Sequence, residues 1–350
     1  VLRAAEGVRQ DRAVTRDPVA DLRRTAFLLE RAHESTYRVR AFRTAAAVLA
    51  RRDPDELVRL ALSGELVRLK GVGEVTARCV VESLAGEVPA YLRRLEEAEA
   101  PPLDPAAAAV RDALLRGDCH SHTDASDGGS PLREMAETAR ALGHEYLVVT
   151  DHSPRLTVAN GLSAERLRAQ LEQVAELNAE LDGFTVLTGI EVDILSDGGL
   201  DQDPDLLDEL DVVVASVHSE LRMPRAEMTE RMLTAVENPL VDVLGHCTGR
   251  MVSGSRKRPE SQFDAERVFA ACAEHGVAVE INSRPERLDP PLRLLRLAVE
   301  AGCEFTIDTD AHAPGQLDWL RNGCERAAAA EVPVERIRNT RPRDRLLTRS

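Results

Sequence analysis

At 350 residues the chain can hold one large domain and a small one, and 43% apolar content supports an ordinary folded core. Its formal charge of -15 is uneven: residues 1–100 carry 18 Lys and Arg against 16 Asp and Glu, and residues 101–350 carry 27 against 44. That acidic second part excludes a broad nucleic-acid-coating surface there, although a cluster of divalent cations could still draw phosphate locally. Residues 1–18 are charged without periodicity and are expected to be flexible. Residues 19–95 read as a small all-α domain, with helical patterns in DLRRTAFLLERAH, TYRVRAFRTAAAVLARR and PDELVRLAL. Two further helical segments then flank Gly71-Val72-Gly73, with Val75 and Cys79 on one face of the second. Lys70, Gly71 and Gly73 make this turn, with Arg68 and Arg78 nearby. Residues 96–116, acidic and then Pro/Ala-rich, read as a linker.

From residue 117 to about 340, short apolar runs alternate with helical segments. The expected strands are DCHSH, EYLVVT, FTVLTGIEV, VVVASV, VDVLG, VAVEIN and EFTIDT. The expected helices include 131–142, capped by Ser130 with Pro131 first, and 164–181, 226–236, 264–274 and 291–300. Seven β/α repeats imply a parallel sheet closed, or nearly closed, into a barrel. The chain's nine histidines are not scattered over it. Six fall at the carboxyl ends of these strands: His120 and His122, His152, His218, His246 and His312. Glu191 and Asp310 fall there too, and Asp127 follows the first pair in a turn. Imidazoles and carboxylates gathered on the rim where barrel enzymes build their sites point to a metal centre. His33, His144 and His275 read as surface residues.

Six cysteines without CxxC spacing read as reduced thiols, no run suggests a membrane span, and a cytoplasmic protein is expected. Only Lys70 and Lys257 are lysines, which speaks against a Schiff-base lyase and against an amidohydrolase with a carboxylated lysine on the rim.

The series HSHTDASDG, TDHS, GIEVDI, SVHS, GH and TDAH resembles the PHP (polymerase and histidinol phosphatase) superfamily over residues 118 to about 325. It is most similar to the PHP domain attached to bacterial family X DNA polymerases, as is EINSRPERLD. TYRVRAFR with the glycine turn resembles the helix-hairpin-helix N-terminal domain of those enzymes. That likeness implies that Lys70, Gly71 and Gly73 contact a DNA backbone, a turn of this kind offering N–H groups to a phosphate. Between those parts the polymerases carry a nucleotide-transferring palm; here only residues 96–116 stand there, so no polymerisation is expected. The resemblance implies an α/β fold, a distorted (β/α)7 TIM-like barrel preceded by the small helical domain. It also implies two or three divalent ions, zinc or manganese or else iron, held by His120, His122, Asp127, His152, Glu191, His218, His246, Asp310 and His312. His120 and His122 would share one ion with Glu191 and Asp310, Asp127 with His152 a second, and His218 with His246 a third. Glu191, Asp310 and His218 are the expected catalytic residues.

The expected chemistry is phosphoester hydrolysis, with metal-bridging hydroxide as the nucleophile. Arg250, Arg256 and Arg258 after strand five, and Arg284 and Arg287 after strand six, are candidate phosphate clamps. Two substrates compete. DNA 3′-end processing in repair, by an exonuclease or phosphatase, is favoured by the hairpin domain. A small-molecule phosphatase of the histidinol-phosphate type, its N-terminal module serving assembly, is favoured by the acidic barrel. A structural barrel without activity would have lost ligands, and none is lost.

Overall fold

A computed structural model describes residues 16–98, 102–113, 115–254 and 257–346. The chain divides into two compact units, one up to Pro102 and one from Leu103. The expected flexible stretch 1–18 lies outside the described residues except at its end, where Asp17 already caps the first helix.

The first unit contains α1 (Pro18–Arg31), α2 (Thr36–Leu49), α3 (Pro54–Ser63), α4 (Glu74–Leu84) and α5 (Ala90–Glu97). Its starts follow local chemistry. The side chains of Asp17 and Asp53 accept backbone N–H bonds at the beginnings of α1 and α3, and each helix opens on a proline. Leu22, Leu29, Phe42, Leu49, Leu66 and Val80 form the core. The turn before α4 needs glycine: Gly71 has φ 97°, and a Cβ there would lie 2.7 Å from the Thr44 methyl. Val75, expected on a face with Cys79, is instead 48% exposed. It stands in the first turn of α4, ahead of the stripe that reaches the core.

The second unit is a barrel. Its strands are β1 (Gly117–Asp118), β2 (Tyr146–Val149), β3 (Thr185–Asp193), β4 (Val212–Ser216), β5 (Val243–Leu244), β6 (Ala278–Asn282) and β7 (Phe305–Asp308). They run in sequence order, each parallel to the next. Helices lie between them as expected, with small shifts; the first, Leu132–Ala141, is capped at Pro131 rather than Ser130. The strands read as continuous apolar runs because the sheet is buried on both faces.

Two expectations change. Strand one stops at Asp118, because the amides after it turn to side chains: Cys119 N–H donates to Asp308, Ser121 N–H to Thr150 and Thr123 N–H to Asp151. The stretch read as a linker carries a helix, Pro105–Ala113, whose Ala107 and Val110 are buried in the barrel's core. The alanines that suggested flexibility serve close packing against the helix Leu320–Ala329.

Between β7 and β1 backbone bonds join Asp310 to His120 and His122 to Ala311, and ahead of them a side chain helps to close the sheet. Asn339 Nδ2 donates to the carbonyls of Gly117 (3.0 Å) and Ile307 (2.7 Å), and its Oδ1 accepts from Ile307 N–H (3.1 Å). Its own carbonyl accepts from Arg116 N–H. The amide thus takes the place of a strand's peptide group at the seam.

Candidate metal centre

Each strand delivers its polar residue to one end of the barrel. Apolar side chains at Ile190 and Val192 pack outward, so Glu191 points to the axis, where it is 1% exposed. Five imidazoles surround this one carboxylate. Oε2 lies 3.3 Å from His120 Nε2, 3.5 Å from His122 Nε2 and 2.9 Å from His152 Nδ1. Oε1 lies 2.8 Å from His246 Nε2 and 3.2 Å from His218 Nε2. Asp310 Oδ1 is 3.4 Å from His122 Nε2. At the rim Asp127 Oδ1 stands 3.5 Å from His152 Nε2 and 3.3 Å from His312 Nε2.

The turn holding Asp127 is fixed from below by Asp151, a residue the sequence reading passed over. Its carboxylate accepts from Thr123 N–H (2.8 Å), the Thr123 hydroxyl (2.6 Å), the Ser126 hydroxyl and the Gln170 amide. Gly128 follows because a Cβ there would sit 2.6 Å from the Thr123 carbonyl oxygen.

Burial and close neighbours set the charge of these groups in opposite directions. Burial would raise the Glu191 and Asp310 carboxyls, but histidines around the first, and Arg284, His122 and Arg287 around the second, hold both well below the usual range. Burial opposes charge on His120 and His218 too. Glu191 with Glu280 outweighs it at His120, and Glu191 with Asp193 lifts His218 to about 9. His122 goes the other way, depressed by burial and by His312 and His152.

The donor set fits divalent cations. Several imidazole nitrogens are buried without a hydrogen bond: Nε2 of His120, both nitrogens of His122, Nδ1 of His152, Nε2 of His218 and Nδ1 of His246. Such atoms cost stability unless something takes up their lone pairs or protons. Three groups have candidate ligand atoms within 4.8 Å of one another: His122, Asp127, His152 and His312; His120, His122 and Glu191; and His152, Glu191 and His218. Against the sharing implied by sequence, His312 joins the Asp127 group, and His122 faces two groups at once.

The arginines separate. Arg287 Nε lies 3.1 Å from Asp310 Oδ2, and Arg284 contacts the Asp310 carbonyl and His312 Nδ1 (3.1 Å). Arg250 instead donates to the carbonyls of Arg287 and Leu288, and Arg258 to that of Gly249 (2.6 Å). Both give part of their guanidinium groups to loop backbone, unlike Arg284 and Arg287, which reach Asp310. Arg256 lies outside the described residues.

The reading also missed two carboxylates behind the imidazoles. Asp193 Oδ1 is 3.1 Å from His218 Nδ1, and Glu280 Oε1 is 2.6 Å from His120 Nδ1. Each had a signal: Asp193 is two residues from Glu191 on one strand face, and Glu280 is a lone acid in the apolar run VAVEIN. His144, read as a surface residue, is mostly buried beside Arg111, and burial pushes it down to about 4.

Residues 118–284 match the PHP domain family, and residues 16–88 match a helix-hairpin-helix domain. A probable phosphatase of Shewanella sp. (strain MR-4) is 30% identical over 235 residues, covering 64% of this chain and 87% of that protein. The chain belongs to the PHP family. PHP domains are metal-dependent phosphoesterases, and this PHP barrel keeps the buried donors such chemistry uses. The DNA polymerase/3′-5′ exonuclease PolX of Bacillus subtilis (strain 168) is 39% identical over 227 residues, 65% of this chain. The match spans only 39% of that protein's length. A crystal structure of histidinol phosphate phosphatase from Lactococcus lactis, complexed with zinc, L-histidinol and phosphate, has a TM-score of 0.46. It is 22% identical and covers 62% of this chain and 93% of that one. Among the described residues no helix is long and apolar enough to cross a membrane.

Proposed function

We propose that the PHP barrel hydrolyses phosphoesters at DNA 3′ ends, with residues 19–95 holding the DNA backbone and residues 117–340 doing the chemistry. The observation that carries the hydrolytic reading is the gathering of five buried or part-buried imidazoles on the single carboxylate of Glu191. His120, His122, Asp127, His152, Glu191, His218, His246, Asp310 and His312 would hold two or three ions, zinc or manganese or else iron. Bound there, such ions supply Lewis acidity and a nucleophilic water near neutral pH. The chain's own groups do the rest. Glu191 presents its two oxygens to different imidazoles, so it can join two ions. Arg287 and Arg284 stand behind Asp310, where they offset the charge of an incoming phosphate. Buried walls keep the surrounding water out.

The DNA arm rests on the helix-hairpin-helix match and on the turn at Lys70, Gly71 and Gly73, which is exposed. Gly73 N–H is taken by Thr76 Oγ1, and the next amides, of Glu74 and Val75, begin α4 without intrahelical acceptors. The Bacillus subtilis relative, a DNA polymerase/3′-5′ exonuclease by name, agrees. The acidic balance of residues 101–350 favours a second reading, a small-molecule phosphatase. Six buried, unbridged cysteines suit a reducing cytoplasm.

The test offers zinc- or manganese-loaded protein 3′-labelled DNA and histidinol phosphate in parallel. DNA turnover is expected, abolished by His120→Ala and weakened when residues 1–95 are deleted. Turnover of histidinol phosphate alone, indifferent to that deletion, would establish the second reading instead.

A further inference from the structure

We infer that Glu280 is a positioning residue for the metal centre: it fixes the tautomer of His120 and, through the same carboxylate, the place of His246. The inference rests on the metal-centre reading and adds to it a group outside the nine ligands.

The geometry is specific. Glu280 lies in the middle of β6, between Val279 and Ile281, which pack into the outer core. Alternation therefore turns its side chain toward the barrel axis, where it is 0% exposed. Its two oxygens have different partners. Oε1 lies 2.6 Å from His120 Nδ1, and Oε2 accepts the backbone N–H of His246 at 2.5 Å. The Asn282 amide also reaches Oε2, at 3.2 Å, and its other contact is Asp310 Oδ2 at 3.3 Å. Both carboxylate oxygens are thus held by N–H donors, so Glu280 stands behind the ligands and not among them.

A carboxylate can only accept. In the neutral imidazole that would bind a metal, Nδ1 must then carry the proton, which leaves the Nε2 lone pair on the side of Glu191, 3.3 Å away. The same carboxylate raises the basicity of that nitrogen, as acids behind metal-bound imidazoles do. Holding His246 by its backbone ties β5 to β6 where the other oxygen of Glu191 meets His246 Nε2 at 2.8 Å. One buried acid thereby sets ligands on both sides of Glu191.

Glu280→Gln tests this with little change in shape. Glutamine has one oxygen for two N–H donors, so whichever way its amide turns, one donor faces an NH2 group. Zinc affinity is read by competition with a chromophoric chelator, and the His120 tautomer by nitrogen-15 NMR of the zinc-loaded, histidine-labelled protein. The His120 signal is assigned as the one lost in His120→Gln. The wild type is expected to carry the His120 proton on Nδ1. The variant is expected to bind zinc 10- to 100-fold more weakly. Zinc binding within twofold of wild type, or a wild-type His120 protonated on Nε2, overturns the inference while leaving the metal centre intact. A wild-type protein that binds no zinc overturns both. If Glu280→Gln does not fold, the wild-type tautomer decides alone.

Discussion

The two units treat charge in different ways. In the helical unit Arg38 with Glu34 and Arg68 with Glu65 pair at the surface, leaving both partners more than a third exposed, while Arg43 with Glu30 is an enclosed pair. The surface pairs are screened by water and salt and contribute little to stability. In the barrel Asp118, Glu191, Glu280, Asp308 and Asp310 are all 1% exposed or less. Taking five carboxyls out of water costs far more than surface pairing returns. The fold carries that cost where imidazoles, arginines and, on our reading, metal ions repay it with reactivity. The surface pairs of the helical unit can therefore be exchanged at little cost, unlike its enclosed Arg43–Glu30 pair and the buried polar groups of the barrel.

Removing the amide at the seam tests that claim hardest. Asn339→Ala leaves the Gly117 and Ile307 carbonyls and the Ile307 N–H without their partner. A loss of about 3 kcal/mol is expected in urea unfolding, because each group is buried. A loss near zero would show that the barrel tolerates orphaned polar groups, and the contrast would fail.

A smaller effect is expected from pH. His144 is held neutral in the fold down to about 4, whereas an unfolded histidine takes up its proton near 6.5. Between those values the unfolded state binds more protons, so stability present above pH 6.5 is lost as pH falls toward 4. His144→Asn should remove that component, flattening the difference between melts at pH 7 and pH 5 by roughly 2 kcal/mol. Parallel slopes in the two proteins would contradict it.

The smallest change is on the helical side. Glu74 places an exposed negative charge at the start of α4, where a phosphate would approach. Glu74→Lys is expected to tighten DNA binding by roughly three- to tenfold at low salt and to steepen the salt dependence. Stability should move by less than about 0.5 kcal/mol. Unchanged DNA affinity would detach this turn from DNA altogether.

What could be read beforehand follows the range of the interactions. Seven β/α units were legible because burial on both faces writes a strand as a local apolar run, as in EYLVVT and VVVASV. The rim residues could be picked out because each follows such a run. Glu280 was not, since its partner His120 is 160 residues away and nothing local marks the pairing. Strand one was read too long for the same reason: its ladder is cut by acceptors from Thr150, Asp151 and Asp308. The helix Pro105–Ala113 was hidden by composition, because Ala/Pro runs look alike in a tether and in a tightly packed helix. Arg250 shows the limit of charge reading, since part of its guanidinium is given to backbone carbonyls.

The amide at the seam also bears on how the chain is made. Asn339 meets Gly117 across 222 positions, so a growing polypeptide has emitted all seven strands before the closing group leaves the ribosome. Until then the nascent sheet carries two incompletely paired edges, which are templates for wrong partners. Emergence of Asn339, more than the order of strand pairing, would then time the completion of the active centre, because His120 and Asp310 flank that seam.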